Sequence, residues 1–136
     1  MMQNSTGAIS IRPGPDATRI GRSATGFTVL AISPDAEDHS CLAQLCGHQG
    51  WRFLSARTRR QASAIIRSNR IALAICERDL PDGDWTVVLD QLERFSTAPL
   101  LIVASRLADD ILWAEVLNMG GYDVLLKPFV SREVMW

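Results

Sequence analysis

Three features of the sequence predict an α/β domain of three layers, α/β/α, around a doubly wound, five-stranded parallel sheet. Short runs at 27–32, 71–76, 100–104 and 124–126 are apolar on both faces, as strands buried between two helical layers are. Amphipathic stretches separate them, so the chain reads as βα repeated with short connections. The 136 residues, 47% hydrophobic, suit one core rather than two. The longest apolar run, at 71–76, has six residues, too few for a membrane-spanning helix. A net charge of −1 argues against gripping nucleic-acid phosphates as the main task. All of the 14 basic residues are arginine except Lys127.

Residues 1–26 hold four glycines and two prolines and no apolar periodicity, so they read as a flexible tail rather than a secretory leader. The domain is expected over 27–136. The first strand, 27–32, stops at Ser33-Pro34-Asp35, a helix start with Ser33 or Asp35 as cap. A helix follows over 35–46, with Leu42 and Leu45 on one face and Gly47 and Gly50 ending it. Residues 51–56 form a weaker strand, and 58–69 a helix with Ala62, Ile65 and Ile66 as its apolar stripe. The third strand spans 71–76. Asp84 caps the next helix, where Trp85, Val88, Leu89 and Leu92 follow helical spacing. A fourth strand at 100–104 and a helix at 109–119, closed by Gly120-Gly121, come next. The fifth strand covers 124–126, and a short last helix is expected after Ser131.

The odd count of three cysteines, without a leader, favours free thiols and a cytoplasmic setting. His39, Cys41, Cys46 and His48 suggest zinc at first sight. On a helix, however, His39 and Cys46 share one face while Cys41 and His48 share another, so the four cannot converge on one metal.

In an open parallel sheet the chemistry gathers at the carboxyl ends of the strands. Here these are Ser33-Pro34-Asp35, Cys76-Glu77, Ala104-Ser105 and Lys127-Pro128. The segment from Ile75 through Glu77, Asp79 and Leu80-Pro81 to Asp84 is similar to the phosphoacceptor loop of two-component response-regulator receivers. The segment Lys127-Pro128-Phe129 resembles the Lys-Pro-Phe of the same family. The resemblance implies a flavodoxin-like (CheY-like) fold with strand order 2-1-3-4-5 and a cis-proline candidate at Pro128. It places the phosphoacceptor position at Glu77, the invariant lysine at Lys127, the acidic pair at Ser33 and Pro34 with Asp35 adjacent, and the Ser/Thr position at Ala104 with Ser105 adjacent. The aromatic of the fifth strand falls on Val124, with Tyr122 two residues earlier.

Four of these positions depart from the chemistry of acyl-phosphate formation. That reaction needs an in-line carboxylate, a Mg²⁺ ion and a stabiliser for the transferring group. Ser33 and Pro34 offer the metal no carboxylate. Glu77 is one methylene longer than aspartate, and a displacement of about 1 Å can cost roughly 100-fold in rate. Ala104 cannot hydrogen-bond a phosphate oxygen. The expectation is therefore a pseudo-receiver: no catalytic residue, no bound metal, Mg²⁺ binding weak or absent, and a permanent Glu77–Lys127 ion pair where the family makes a phosphate-dependent contact. The alternatives are a receiver that is still phosphorylated, or an α/β dimerisation module outside signalling. An enzyme is disfavoured, since no glycine-rich phosphate loop follows the first strand and no nucleophile–histidine arrangement sits at a strand end.

The resemblance implies signalling partners, a histidine kinase or another two-component protein, with a homodimer possible and neither nucleic acid nor membrane as partner. In receivers the fourth helix and fifth strand form the common contact surface, which puts weight on Trp113. Charge is divided along the chain. Residues 51–70 carry six arginines and no acid, and read first as a solvated helix face. Residues 77–93 hold six acids, Asp79, Asp82 and Asp84 among them, without the spacing of a calcium loop.

Overall fold

A computed structural model describes residues 27–95, 98–107, 109–127 and 129. The tail at 1–26, the Pro128 peptide and the expected last helix lie outside the described residues. Five parallel strands form the sheet: β1 (Thr28–Ile32), β2 (Arg52–Ala56), β3 (Leu73–Glu77), β4 (Leu100–Ser105) and β5 (Asp123–Leu126), in the order β2-β1-β3-β4-β5. Four helices connect them: α1 (Ala36–Gln49), α2 (Arg59–Ser68), α3 (Trp85–Leu92) and α4 (Asp110–Met119). This is the flavodoxin-like topology expected from the resemblance.

The pleat divides each strand between two cores. Leu30, Ala74, Leu101, Val103 and Val124 point to one side, where α2, α3 and α4 cover them with Ile66, Val88, Leu92 and Val116. Val29, Ala31, Ile75, Ile102 and Leu125 point to the other, beneath Leu42, Leu45 and Cys46 of α1. Apolar runs with no polar alternation are what two-sided burial requires. Trp113 is partly buried against the first of these cores.

Local chemistry sets most boundaries. Asp35, Thr58, Asp84 and Asp109 each cap a helix, accepting a backbone N–H with the side chain. Gly120 ends α4 with φ 108°, a conformation that suits glycine. The next residue, Gly121, has no room for a side chain, because a Cβ there would lie 2.4 Å from Val116 Cγ1. Two boundaries differ from expectation by more than one residue. Gly47 lies inside α1, which runs on to Gly50, the residue with φ 73°. β3 begins two residues later than its apolar run and includes Glu77, because the ladder pairs Leu73 with Leu100 and Glu77 with Ala104. An antiparallel ribbon, Asp79–Leu80 against Gly83–Asp84, was not legible in the sequence. The Trp85 N–H closes it by donating to the Arg78 carbonyl at 3.1 Å.

Candidate functional site

The carboxyl ends of β1, β3 and β5 bring three sequence-selected residues together. Each is held by its neighbour's backbone. The Ser33 N–H donates to the Ala56 carbonyl at 3.0 Å, and the Lys127 N–H to the Ser105 carbonyl at 3.0 Å. Glu77 closes β3, and the next N–H, of Arg78, donates to the Ala104 carbonyl at 2.9 Å. The Lys127 ammonium lies against Glu77 Oε1 and donates to Asp38 Oδ2 at 2.7 Å. Ser33 Oγ donates to the same Asp38 oxygen at 2.6 Å, and accepts from the Asp35 N–H at 3.0 Å. His39 Nε2 donates to the Ser33 carbonyl at 2.7 Å, which ties the start of α1 to the end of β1.

Asp38 is the residue that sequence reasoning missed. It stands in the first turn of α1, where an acid is usually read as favouring the helix dipole. Its side chain instead turns back over the end of β1 and is buried with Ser33 and Lys127. Ser33, expected at a position of an acidic pair, brings no carboxylate from the end of β1, and one arrives from the helix instead. The signal was three-residue spacing from the Asp35 cap, which points a helical side chain back towards the N-terminal end.

The other selected residues have structural tasks. Pro34 is exposed. Asp35 caps α1 through the Glu37 N–H and makes an ion pair with Arg106 at 3.6 Å, linking the β1–α1 and β4–α4 loops. Ala104 is buried among apolar side chains, and Ser105 Oγ accepts from the Leu107 N–H at 3.1 Å. Asp82 does not face the site. Its carboxylate accepts from the Arg59 and Arg60 N–H groups at 2.7 and 3.1 Å, clamping the ribbon to the start of α2.

The electrostatics follow from this geometry. Burial works against the Lys127 charge, but hydrogen bonds to Asp38 and Glu77 and their negative charges outweigh it and raise the pKa above the ordinary 10.5. The backbone hydrogen bonds from Arg59 and Arg60 hold the exposed Asp82 carboxyl below the usual 3.8. A group with a lowered folded pKa contributes stability above its unfolded value and loses it as pH falls through the folded one. An Asp82→Asn variant is therefore expected to unfold at lower urea than the wild type at pH 7, with the gap closing below pH 3.8. Urea melts across that range check it, and a constant gap would mean that the carboxylate charge has no part in the clamp. The Cys46 thiol is pushed up to about 12 by burial and Cys76 is raised further, so neither is a thiolate at neutral pH. Among the described residues no group of three metal-ligating side chains is assembled.

A doubly wound sheet whose strand ends clasp a lysine between acids defines a receiver-type domain, and comparison with known proteins agrees. No family model matches the sequence. The chain is 30% identical over 108 residues to the transcriptional regulatory protein PmrA of Pectobacterium parmentieri, covering 78% of this chain and 48% of that protein. It therefore spans about half the length of the curated relative it matches. A two-component response regulator from Clostridium difficile superposes with a TM-score of 0.71 at 25% identity, over 78% of this chain and 87% of that one. The beryllofluoride-activated NtrC4 receiver domain dimer gives 0.73 at 22% identity, over 79% and 89%. The chemotaxis response regulator CheY4 of Vibrio cholerae gives 0.74 at 16%, over 80% and 92%. The chain carries a response-regulator receiver domain of the CheY-like fold. Among the described residues no helix is long and apolar enough to cross a membrane.

Proposed function

We propose that this receiver domain acts in two-component signalling by protein–protein contact, in the cytoplasm, without accepting a phosphoryl group. The observation that carries the reading is the Lys127 ammonium held by two carboxylates at once, Glu77 and Asp38. In phosphoryl transfer a positive group has to meet the transferred phosphoryl oxygens, and Mg²⁺ needs carboxylate oxygens of its own. Here both acids face the ammonium, and Ser33 spends its proton on Asp38. The donor set does not fit a divalent metal, because an ion shared by these two oxygens would lie beside a buried positive charge. Glu77 also places its oxygens too far forward for in-line attack. The ammonium instead acts as a built-in cation that keeps the loops after β1, β3 and β5 in one arrangement.

The contact surface is the β4–α4–β5 flank, where Leu107, Ile111 and Leu126 are exposed. Isolated exposed apolar residues are ordinary, but three on one flank suit a partner, either a histidine kinase or other two-component protein, or a second copy of the chain. The deciding experiment is incubation with a small-molecule phosphodonor and Mg²⁺, read by intact mass. No phosphoryl adduct is expected on the wild type, and a stoichiometric, Mg²⁺-dependent adduct would overturn the reading. Adduct on Glu77→Asp alone would place the block in the length of the side chain.

A further inference from the structure

At the pole opposite Lys127 the chain has a cavity of about 310 Å³, between the end of α2, the start of β3 and the segment after α3. That volume is at the lower end of the range for ligand pockets. Its base is apolar, with the buried Ile66 and Ile71, and Phe95 and Pro99 line it as well. Arg67 and Arg70 line the same cavity and are exposed. Among the described residues neither guanidinium has an ion-pair partner, in contrast to Arg94, which pairs with Asp90, and Arg106, which pairs with Asp35. The remaining polar side chains of the lining are committed elsewhere. Ser68 Oγ donates to the Ala64 carbonyl at 2.8 Å, and Asn69 Nδ2 to the Ile65 carbonyl at 3.0 Å. The Asn69 bond satisfies the Ile65 carbonyl, one of those in the last turn of α2 that have no partner within the helix. Two free positive groups and an apolar floor are thus what the pocket offers a ligand.

We propose that this pocket docks an acidic segment of a partner protein by one bulky apolar side chain flanked by carboxylates. The apolar side chain enters against Ile66 and Ile71 beside Phe95, as anchor residues of interfaces do, and the carboxylates meet Arg67 and Arg70. The charge of the pocket sets the kind of occupant. α3 packs beside α2, with Ser63 Oγ donating to Gln91 Oε1 at 2.6 Å, and its Asp90 already pairs with Arg94. Two guanidiniums are few for the successive phosphates of a nucleic-acid backbone and match the carboxylates of a short peptide. The proposal is independent of whether Glu77 accepts phosphate.

The test is fluorescence anisotropy of a fluorescein-labelled peptide, Glu-Glu-Trp-Glu-Glu, titrated with the full chain. Saturable binding is expected, weakened about tenfold or more in R67E/R70E, a difference worth about 1.4 kcal/mol. Weakening is also expected in Phe95→Ala, with rising salt, and when glycine replaces the peptide's tryptophan. Both arginines are exposed, so R67E/R70E should fold, and an unchanged thermal melt checks that it does. No saturable binding, equal binding by R67E/R70E, or equal binding of the glycine peptide would each overturn the proposal. So would tighter, arginine-dependent binding of a labelled single-stranded oligonucleotide, which would make the pocket a nucleic-acid site.

Discussion

Replacing Lys127 by methionine is expected to lower folding stability by about 3–5 kcal/mol at neutral pH, the usual cost of stripping one partner from a buried ion cluster. The side chain keeps its length and loses its charge. Asp38 is then left buried beside a partly buried Glu77 with no cation between them, and Ser33 remains bonded to Asp38. Urea denaturation of the wild type and the variant measures the effect. In the background D38N/E77Q the same substitution should cost nothing or stabilise, because there the ammonium is itself left buried without a counter-charge. An equal loss in both backgrounds would mean that methionine disturbs packing and that the ion cluster is not what Lys127 supports. The pH dependence gives an independent check. The folded pKa of Lys127 lies above the unfolded value, so its contribution is complete below 10.5 and is lost as pH rises through the folded value. The wild type should therefore lose stability on the alkaline side of 10.5 more steeply than Lys127→Met does.

Replacing Trp85 by alanine is expected to cost about 3–5 kcal/mol, as for other large aromatic side chains removed from a core. Trp85 is 3% exposed and opens α3 immediately after the Asp84 cap. Its ring lies in the core beneath α2, α3 and α4, and its backbone N–H closes the ribbon that follows Glu77. Loss of the ring leaves a cavity at the point where the loop carrying Glu77's neighbours is anchored. Amide hydrogen exchange should then accelerate at Arg78 and at residue 85 more than in β1. Trp85→Phe should retain most of the protection. If exchange rose uniformly across the domain, the ring would be supporting the core alone and not the ribbon.

The functional pole was partly legible in the sequence. Glu77 and Lys127 could be selected because each sits at the end of an apolar run, and strand ends face one pole of a parallel sheet. Asp84 was readable as a cap, and Asp35 as one of two candidates, because capping acts over two or three residues. Asp38 was hidden because its partner, Lys127, is 89 residues away, and its spacing from the Asp35 cap suits an acid placed for the dipole equally well. Asp82 was hidden in the same way. It looked like one acid of a solubilising run, and its partners are the amides of a helix start 22 and 23 residues earlier.

The same division runs through the whole molecule. Hydrophobic periodicity and capping are local, since each depends on residues within one or two turns or one strand. They placed five strands and four helices nearly as observed, including the two-sided burial of β1, β3 and β4. The lone lysine of the composition could be assigned a strand end, but not two acids. That second acid, the ribbon beside Glu77 and the pocket joining Ile66 to Phe95 depend on which helix packs over which strand and at what height. Packing of that kind is fixed by the ladder register and by shape at each layer, quantities that no window of sequence contains.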